Sequence, residues 1–156
     1  MSHTAIYPGT FDPITLGHVD VVRRGLKLFD RVVIGVAANP NKQPMFDLET
    51  RLSMVRQTFV ADDRIETVSF DGLLVELARQ HKAKAILRGL RAASDFEYEF
   101  QMATMNRKLD ERIETVFVMA REDYTFVSSR FIREISSMGG DVSALVPDAV
   151  LPYLSK

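Results

Sequence analysis

The segment from residue 7 to residue 18 carries residue types that bind phosphate groups. It reads Tyr-Pro-Gly-Thr-Phe-Asp-Pro-Ile-Thr-Leu-Gly-His and lies between an apolar run and a stretch with helical spacing. A helix N-terminus gathers free backbone N–H groups and partial positive charge, which favours a phosphate. Gly17 leaves room for such a group, and His18, Thr10 and Thr15 add donors. The same residues also fit an ordinary loop with a capping threonine, so composition alone leaves both interpretations open.

Three later segments add cations and hydroxyl groups. Lys42 follows the second apolar run, Arg88 and Arg91 flank a glycine after the fourth run, and Ser128-Ser129 precedes a helical stretch. Paired arginines suit bidentate recognition of a phosphate, and hydroxyl groups at a helix start suit an anion. Each segment by itself also fits a solvated loop, a charged turn or a plain helix cap.

Apolar segments alternate along the chain with stretches of helical spacing. The apolar segments predict strands at Thr4–Tyr7, Arg31–Ala38, Ile65–Phe70, Lys84–Arg88 and Glu114–Met119. The last helices are predicted from Val127 to Met138 and from Pro147 to Leu154. This alternation predicts an α/β fold, a Rossmann-like doubly wound parallel sheet of five strands with helices on both faces. With no linker or repeat in sight, we expect residues 1–156 to form a single domain whose ligands bind beyond the carboxyl ends of the strands.

The composition excludes several classes of protein. The 156 residues include 20 Lys and Arg against 21 Asp and Glu, so a basic face for nucleic acid is not indicated. The absence of cysteine excludes a disulfide framework, a thiolate nucleophile and Cys-ligated metal sites. No apolar run is long enough for a membrane span or a signal peptide. We therefore expect a soluble, cytoplasmic protein that has neither a nucleic acid nor a membrane as partner.

Several blocks of the sequence resemble a known enzyme family. Residues 15–18, Thr-Leu-Gly-His, resemble the (H/T)xGH signature of the nucleotidylyltransferase superfamily. The longer string over residues 7–18 is similar, nearly letter for letter, to the bacterial phosphopantetheine adenylyltransferase family. Residues 88–102 resemble that family's RGLRxxxDFEYExQ block, and residues 124–133 resemble its ISS(T/S)xx(R/K) signature. One departure is Arg130, where the family usually has Thr or Ser, so a hydroxyl contact at that position is lost.

The resemblance implies a pantetheine-phosphate adenylyltransferase of coenzyme A biosynthesis. Such an enzyme transfers AMP from ATP to 4′-phosphopantetheine by direct in-line attack without a covalent intermediate, giving dephospho-coenzyme A and pyrophosphate. The attacking phosphate has a second pKa of about 6, so the reaction needs cations and donors and no general base. Mg²⁺ is expected to bridge the ATP phosphates through ligand oxygens and water, with no metal-ligand cluster on the protein. The resemblance also implies a homohexamer with coenzyme A as feedback inhibitor.

The resemblance also implies a role for individual residues. The expected catalytic residues are Thr10, His18, Lys42 and Arg91. The expected ATP-binding residues are Thr10, Phe11, His18, Gly89, Leu90, Arg91, Glu99, Tyr124, Thr125, Phe126, Val127, Ser128, Ser129 and Arg130. The expected residues for the phosphopantetheine acceptor are Thr10, Lys42, Leu74 and Arg88. Leu74 suits a plain helix core equally well.

Other functions compete with this interpretation. A nucleotidylyltransferase that acts on nicotinate mononucleotide or uses CTP is the nearest, and the block at residues 88–102 speaks against it. A receiver module needs an acidic pair at the end of the first strand, where this chain has Tyr7, Pro8 and Gly9. An ATP-binding module without chemistry is supported only by the departure at Arg130.

Overall fold

A five-stranded, fully parallel sheet forms the centre of the protein in a computed structural model that describes residues 2–40, 43–92 and 96–154. The strands are β1 (Thr4–Gly9), β2 (Arg31–Ala37), β3 (Ile65–Phe70), β4 (Ala85–Leu90) and β5 (Glu114–Met119), in the spatial order β3-β2-β1-β4-β5. The helices are α1 (Leu16–Gly25), α2 (Leu48–Thr58), α3 (Leu74–Gln80), α4 (Phe96–Leu109), α5 (Ser129–Ser137) and α6 (Leu151–Leu154), with single 3₁₀ turns at Glu122–Tyr124 and Asp148–Val150. The predicted Rossmann-like fold is confirmed.

The central strands are apolar on both faces because helices cover both. Tyr7 and Ile34 belong to the core cluster shared with α1 and α2, whereas Ile6, Val33 and Ile86 belong to the cluster shared with α3. Successive residues of a strand point to opposite faces. The central strands β1 and β2 therefore read as nearly continuous apolar runs and not as alternating ones.

Strand β1 is two residues longer than predicted, since it continues through Pro8 and Gly9. Proline and glycine are turn signals, which is why the sequence pattern ends the strand before them. In the structure, β1 pairs with β2 along its whole length but with β4 only at Ala5 and Ile6. The carbonyl of Pro8 accepts a hydrogen bond from Arg88 on β4, so it points to the side where β1 and β4 have separated. The nitrogen of Pro8, which carries no hydrogen, points to the same side and therefore leaves no ladder bond unmade. A proline is therefore accommodated at this position, and the separation of β1 from β4 opens a crevice between the two strands.

The helix predicted from Val127 begins two residues later. Ser128 is its N-cap and α5 starts at Ser129, because the Ser128 hydroxyl accepts from a backbone N–H and ends the extended segment before it. The final segment predicted after Pro147 is helical in two short pieces, a 3₁₀ turn and α6.

We predict that Gly89 is required for packing of β4 against α1. A Cβ atom on Gly89 would lie 2.5 Å from Cγ2 of Val21. Gly89→Ala should lower the free energy of unfolding by about 1–3 kcal/mol, the range for overpacking a core. Adding Val21→Ala should recover part of that loss, because it removes the methyl group that the new side chain meets. Urea unfolding of the four proteins measures the coupling, and strictly additive losses would contradict the prediction.

Candidate active site

A cavity of about 380 Å³ opens where β1 and β4 separate, next to the start of α1. This position is the switch point of the strand order, where open α/β sheets bind their ligands. Among the residues predicted for the site, it is lined by Thr10, Phe11, His18, Arg88, Gly89, Arg91, Glu99, Tyr124 and Ser129. The structure thus brings together residues separated by more than a hundred positions in the chain.

His18 is held by a capping box at the start of α1. The backbone N–H of Thr15 donates to Nδ1 of His18 at 2.9 Å, and the backbone N–H of His18 donates to the Thr15 hydroxyl at 3.4 Å. Since Nδ1 is the acceptor, a neutral His18 ring carries its proton on Nε2. Of the two interpretations of Thr15, the capping one is correct, because its hydroxyl is fully buried in this contact.

The imidazole of His18 is neutral over the physiological range. Burial, assisted by the nearby charges of Arg91 and Arg88, lowers its pKa to about 3. The ring packs edge-on against Phe11, with ring centroids 4.9 Å apart, and Phe11 packs in turn against Tyr7. The packing and the capping box together make His18 an uncharged, oriented hydrogen-bond donor at the cavity wall.

Arg88 and Glu99 form an ion pair between two cavities. Nε of Arg88 donates to Oε2 of Glu99 at 2.9 Å, a second bond joins Nη2 to Oε1, and Nη1 donates to the Pro8 carbonyl at 3.1 Å. Both side chains line the first cavity and also a second one of about 310 Å³. The Arg88–Glu99 pair therefore forms part of the wall between the two cavities, and each side chain lines both of them.

The second cavity is mainly apolar and lies between the sheet and helices α3 and α4. Leu74 lines it together with Phe70 and Met102, and Leu74 also packs against the core cluster of α3. Asn106 lines it as well and is only 6% exposed. Within the described residues, the Asn106 carboxamide has no hydrogen-bond partner. A ligand with an amide group would find both a donor and an acceptor there.

Asn106 is absent from the predicted site. A signal was present in the sequence, since Glu99, Met102 and Asn106 follow each other at helical spacing and so share a face of α4. A polar residue on a buried helix face needs a partner, and this carboxamide faces a cavity that only the tertiary structure creates.

A third cavity of about 420 Å³ shares Thr10, Arg91, Ser129 and Arg133 with the first. Arg133 is a second residue that the sequence analysis did not assign, although it ends the quoted block. Its Nη1 donates to the Asp12 carbonyl at 2.8 Å, which holds the guanidinium at the boundary between the two cavities. The spacing of Ser129 and Arg133 on one face of α5 was the available signal.

The hydroxyl groups of Ser128 and Ser129 are both engaged by the protein. Oγ of Ser128 accepts from the backbone N–H of Phe131 at 3.2 Å, and Oγ of Ser129 donates to the Pro13 carbonyl at 2.7 Å. These contacts cap α5 and tie it to the first loop. Both residues also line the third cavity.

Two arginines of the predicted site have different surroundings. The Arg91 guanidinium donates to the Val127 carbonyl and lines both the first and the third cavity. Arg130 lies at the third cavity, and its exposed side chain pairs with Glu134 at 3.1 Å, one turn along α5. An exposed pair of this kind contributes little to stability, so the charge of Arg130 is accessible to an anion.

Four of the expected ATP-binding residues do not line the three cavities described above: Leu90, Thr125, Phe126 and Val127. The Leu90 carbonyl, at the end of β4, accepts a hydrogen bond from the backbone N–H of Ala120, which follows β5. The Thr125 hydroxyl donates to the carbonyl of Arg121. The Phe126 side chain is 73% exposed. Lys42 lies outside the described residues, while Pro40 and Gln43 on either side of its segment line the third cavity.

In residues 2–40, 43–92 and 96–154, no group of three or more His, Asp and Glu side chains is arranged to hold a metal ion. None of the helices within these ranges has the length and hydropathy needed to cross a membrane.

Comparisons with known proteins agree over most or all of the chain. The model of the family described as cytidylyltransferase-like matches residues 6–135. The phosphopantetheine adenylyltransferase of Methylococcus capsulatus is 56% identical over 156 residues, which is 100% of this chain and 96% of that protein. That of Anaeromyxobacter sp. strain K is 53% identical, covering 100% and 95%, and that of Alkaliphilus metalliredigens is 50% identical, covering 97% and 96%.

A solved structure has the same fold at low sequence identity. It is described as a nicotinate-nucleotide adenylyltransferase of Vibrio parahaemolyticus, and it superposes with a TM-score of 0.72 at 19% identity, covering 99% of this chain and 94% of that one. This likeness establishes the architecture alone. The family model and the full-length relatives establish more: the chain is a nucleotidyltransferase of the cytidylyltransferase-like group and belongs to the phosphopantetheine adenylyltransferase family.

Proposed function

We propose that this protein transfers AMP from ATP to 4′-phosphopantetheine, forming dephospho-coenzyme A and pyrophosphate. The observation that supports it best is the pair of cavities that share Thr10, Arg88 and Glu99. One cavity carries the cations and donors that a triphosphate requires, and the other is mainly apolar beyond their shared wall and carries the Asn106 carboxamide. Two such spaces that meet at a common wall suit two substrates that react end to end.

The second cavity suits the acceptor's arm. 4′-Phosphopantetheine carries a phosphate at one end of a chain that is partly apolar and contains amide groups. Leu74 and Met102 offer apolar contact, and Asn106 offers a donor and an acceptor to an amide. Arg88 stands at the junction with the first cavity, where the phosphate end would lie. Nicotinate mononucleotide, the rival acceptor, has no amide-bearing arm of this kind.

The chemistry needs relief of repulsion between two anions. In the proposed step an oxygen of the acceptor phosphate attacks the α-phosphorus of ATP in line, and the bond from that phosphorus to the β-bridging oxygen breaks as pyrophosphate leaves. Thr10 and, from the resemblance alone, Lys42 orient the attacking phosphate. The Nε2–H of neutral His18 donates to the α-phosphate as charge builds. Arg91 and Arg133 face the departing pyrophosphate.

Mg²⁺ enters this proposal as part of the Mg·ATP substrate. Asp12 is an acidic residue at the cavity wall, but its two carboxylate oxygens accept hydrogen bonds from the N–H groups of Met45 and Phe46 and are thus already engaged. We therefore propose that the ligands of the ion are phosphate oxygens and water, which is the usual coordination of Mg²⁺ on a nucleotide. The ion would neutralise charge on the leaving pyrophosphate.

Three further expectations stay predictions. Coenzyme A contains the pantetheine arm, so we propose that it inhibits by occupying the second cavity. The homohexamer and the cytoplasmic location are proposed from the resemblance to the family.

The first test is the reaction itself. Incubation with ATP, Mg²⁺ and 4′-phosphopantetheine should yield dephospho-coenzyme A and pyrophosphate in equal amounts, measured by mass spectrometry and a coupled pyrophosphate assay. Nicotinate mononucleotide in place of the acceptor should release none. Release of pyrophosphate with nicotinate mononucleotide at a similar rate would contradict the proposed acceptor, and ATP binding without turnover would favour a module that lacks chemistry.

The second test concerns His18. His18→Ala should lower kcat by on the order of 10²–10³-fold, because it removes a donor aimed at the reacting phosphate. His18→Gln keeps an amide donor and should lose less. His3→Ala is the matched control, since His3 is exposed and directly precedes β1, at the opposite end of that strand from the cavity. A folded His18→Ala variant with normal kcat would remove His18 from the mechanism.

The third test uses the depressed pKa of His18. Between pH 6.5 and about 3 the unfolded chain binds a proton at His18 that the folded protein does not. The free energy of unfolding is therefore undiminished by this group above pH 6.5, and it decreases as the pH falls below that value. Between pH 7 and pH 5, wild type should lose up to about 2 kcal/mol of unfolding free energy more than His18→Gln. Urea unfolding at both pH values measures this, and equal losses would show that the ring titrates normally.

A further inference from the structure

Arg51, in the first turn and a half of α2, is a buried arginine that the proposed mechanism does not use. It is 1% exposed and is among the largest fully buried side chains in the described part of the chain. Its three hydrogen bonds all go to main-chain carbonyls: Nη1 donates to Thr10 at 3.0 Å and to Ala37 at 2.8 Å, and Nε donates to Phe46 at 3.0 Å. Burying a charge is costly, so this arrangement calls for a reason beyond packing.

The three carbonyls belong to three separate segments at the carboxyl edge of the sheet. Thr10 directly follows β1, Ala37 is the last residue of the neighbouring strand β2, and Phe46 precedes α2. Asp12 adds a second tie between two of these segments, the first loop and the one before α2, since its carboxylate accepts hydrogen bonds from the N–H groups of Met45 and Phe46 at 2.8 and 2.9 Å. One planar guanidinium thus fixes the first loop relative to the end of β2.

The contact with Thr10 has a consequence for the first cavity. The peptide bond between Thr10 and Phe11 is trans, so its N–H points away from the carbonyl that Arg51 holds. Within the described residues, this N–H of Phe11 has no acceptor, and both residues line the cavity. A charged donor on the carbonyl polarises the peptide and strengthens its N–H as a donor.

The backbone at Phe11 also needs support. Its φ is +52°, in the left-handed region that residues with a side chain rarely adopt. Such a conformation persists only when the surroundings determine it strongly. The buried ring of Phe11 and the hydrogen bond from Arg51 to the preceding carbonyl supply that determination.

We propose that Arg51 is a positioning residue for adenylyl transfer, which holds the Thr10–Phe11 peptide so that its N–H is directed at a phosphate in the first cavity. The proposal rests on the proposed function. Arg51 touches neither substrate and acts through this peptide.

The test compares Arg51→Met and Arg51→Lys with Arg56→Met, which removes an exposed arginine from the same helix. Calorimetry with α,β-methylene ATP gives the number of nucleotide sites per chain, and initial rates give kcat. Arg51→Met should bind one nucleotide per folded chain with kcat lowered by about 10²-fold, the order expected when a reacting group is misplaced. Arg51→Lys keeps the charge and should lose less, while Arg56→Met should match wild type.

Two results would overturn the proposal. One is a folded Arg51→Met variant with kcat within threefold of wild type. The other is a loss of kcat that only parallels the loss of nucleotide sites per chain, which is what a purely structural role produces.

A measurement on the wild type decides the matter if neither Arg51 variant folds, and it does not depend on turnover. The amide ¹H–¹⁵N signal of Phe11 should shift on addition of α,β-methylene ATP, because its N–H gains a phosphate acceptor. An unshifted signal at saturating nucleotide overturns the role of Arg51. A shifted signal without formation of dephospho-coenzyme A by wild type would instead overturn the proposed function.

Discussion

The separation of β1 from β4 is the constraint on which the site depends. The two strands pair at Ala5 and Ile6 and then part, while β1 remains paired with β2 to its end. Backbone groups that would have bonded across the sheet become available at the crevice. Pro8 lies in this unpaired part of β1, where its lack of a backbone N–H costs no hydrogen bond. Its carbonyl accepts a hydrogen bond from Arg88. The strand order 3-2-1-4-5 makes this crevice unavoidable, because neighbouring crossovers run to opposite faces there.

Electrostatic preorganisation in this crevice relies on groups whose orientation the fold has already determined. The imidazole of His18 is neutral because it is buried beside two arginines, and the capping box with Thr15 leaves Nε2 as its donor. In the proposed transfer, a neutral donor would keep its proton throughout and need no change of protonation state. Dipoles that do not reorient during the reaction stabilise developing charge at least cost.

Buried and half-buried polar side chains hold the loops around the crevice. Asp12 and Arg51 tie the first loop to the segment before α2, and Ser129 and Arg133 tie it to α5. Each of these contacts joins a side chain to a main-chain group, so it satisfies a backbone donor or acceptor that irregular structure would otherwise leave unpaired. Loops with their backbone satisfied in this way can be both irregular and rigid, as a site for two anions requires.

The sequence by itself determined the α/β architecture, the family and half of the residues around the first cavity, because apolar periodicity and motif spacing are local properties. It did not determine that Pro8 and Gly9 continue a strand, since local turn signals are overridden where neighbouring strands separate. Only the tertiary structure decided that the Ser128 and Ser129 hydroxyls are engaged by the protein, that Asn106 faces a cavity, and which carbonyls Arg51 holds. These outcomes depend on contacts between residues far apart in the chain, and the burial and direction of a polar side chain follow from what packs around it.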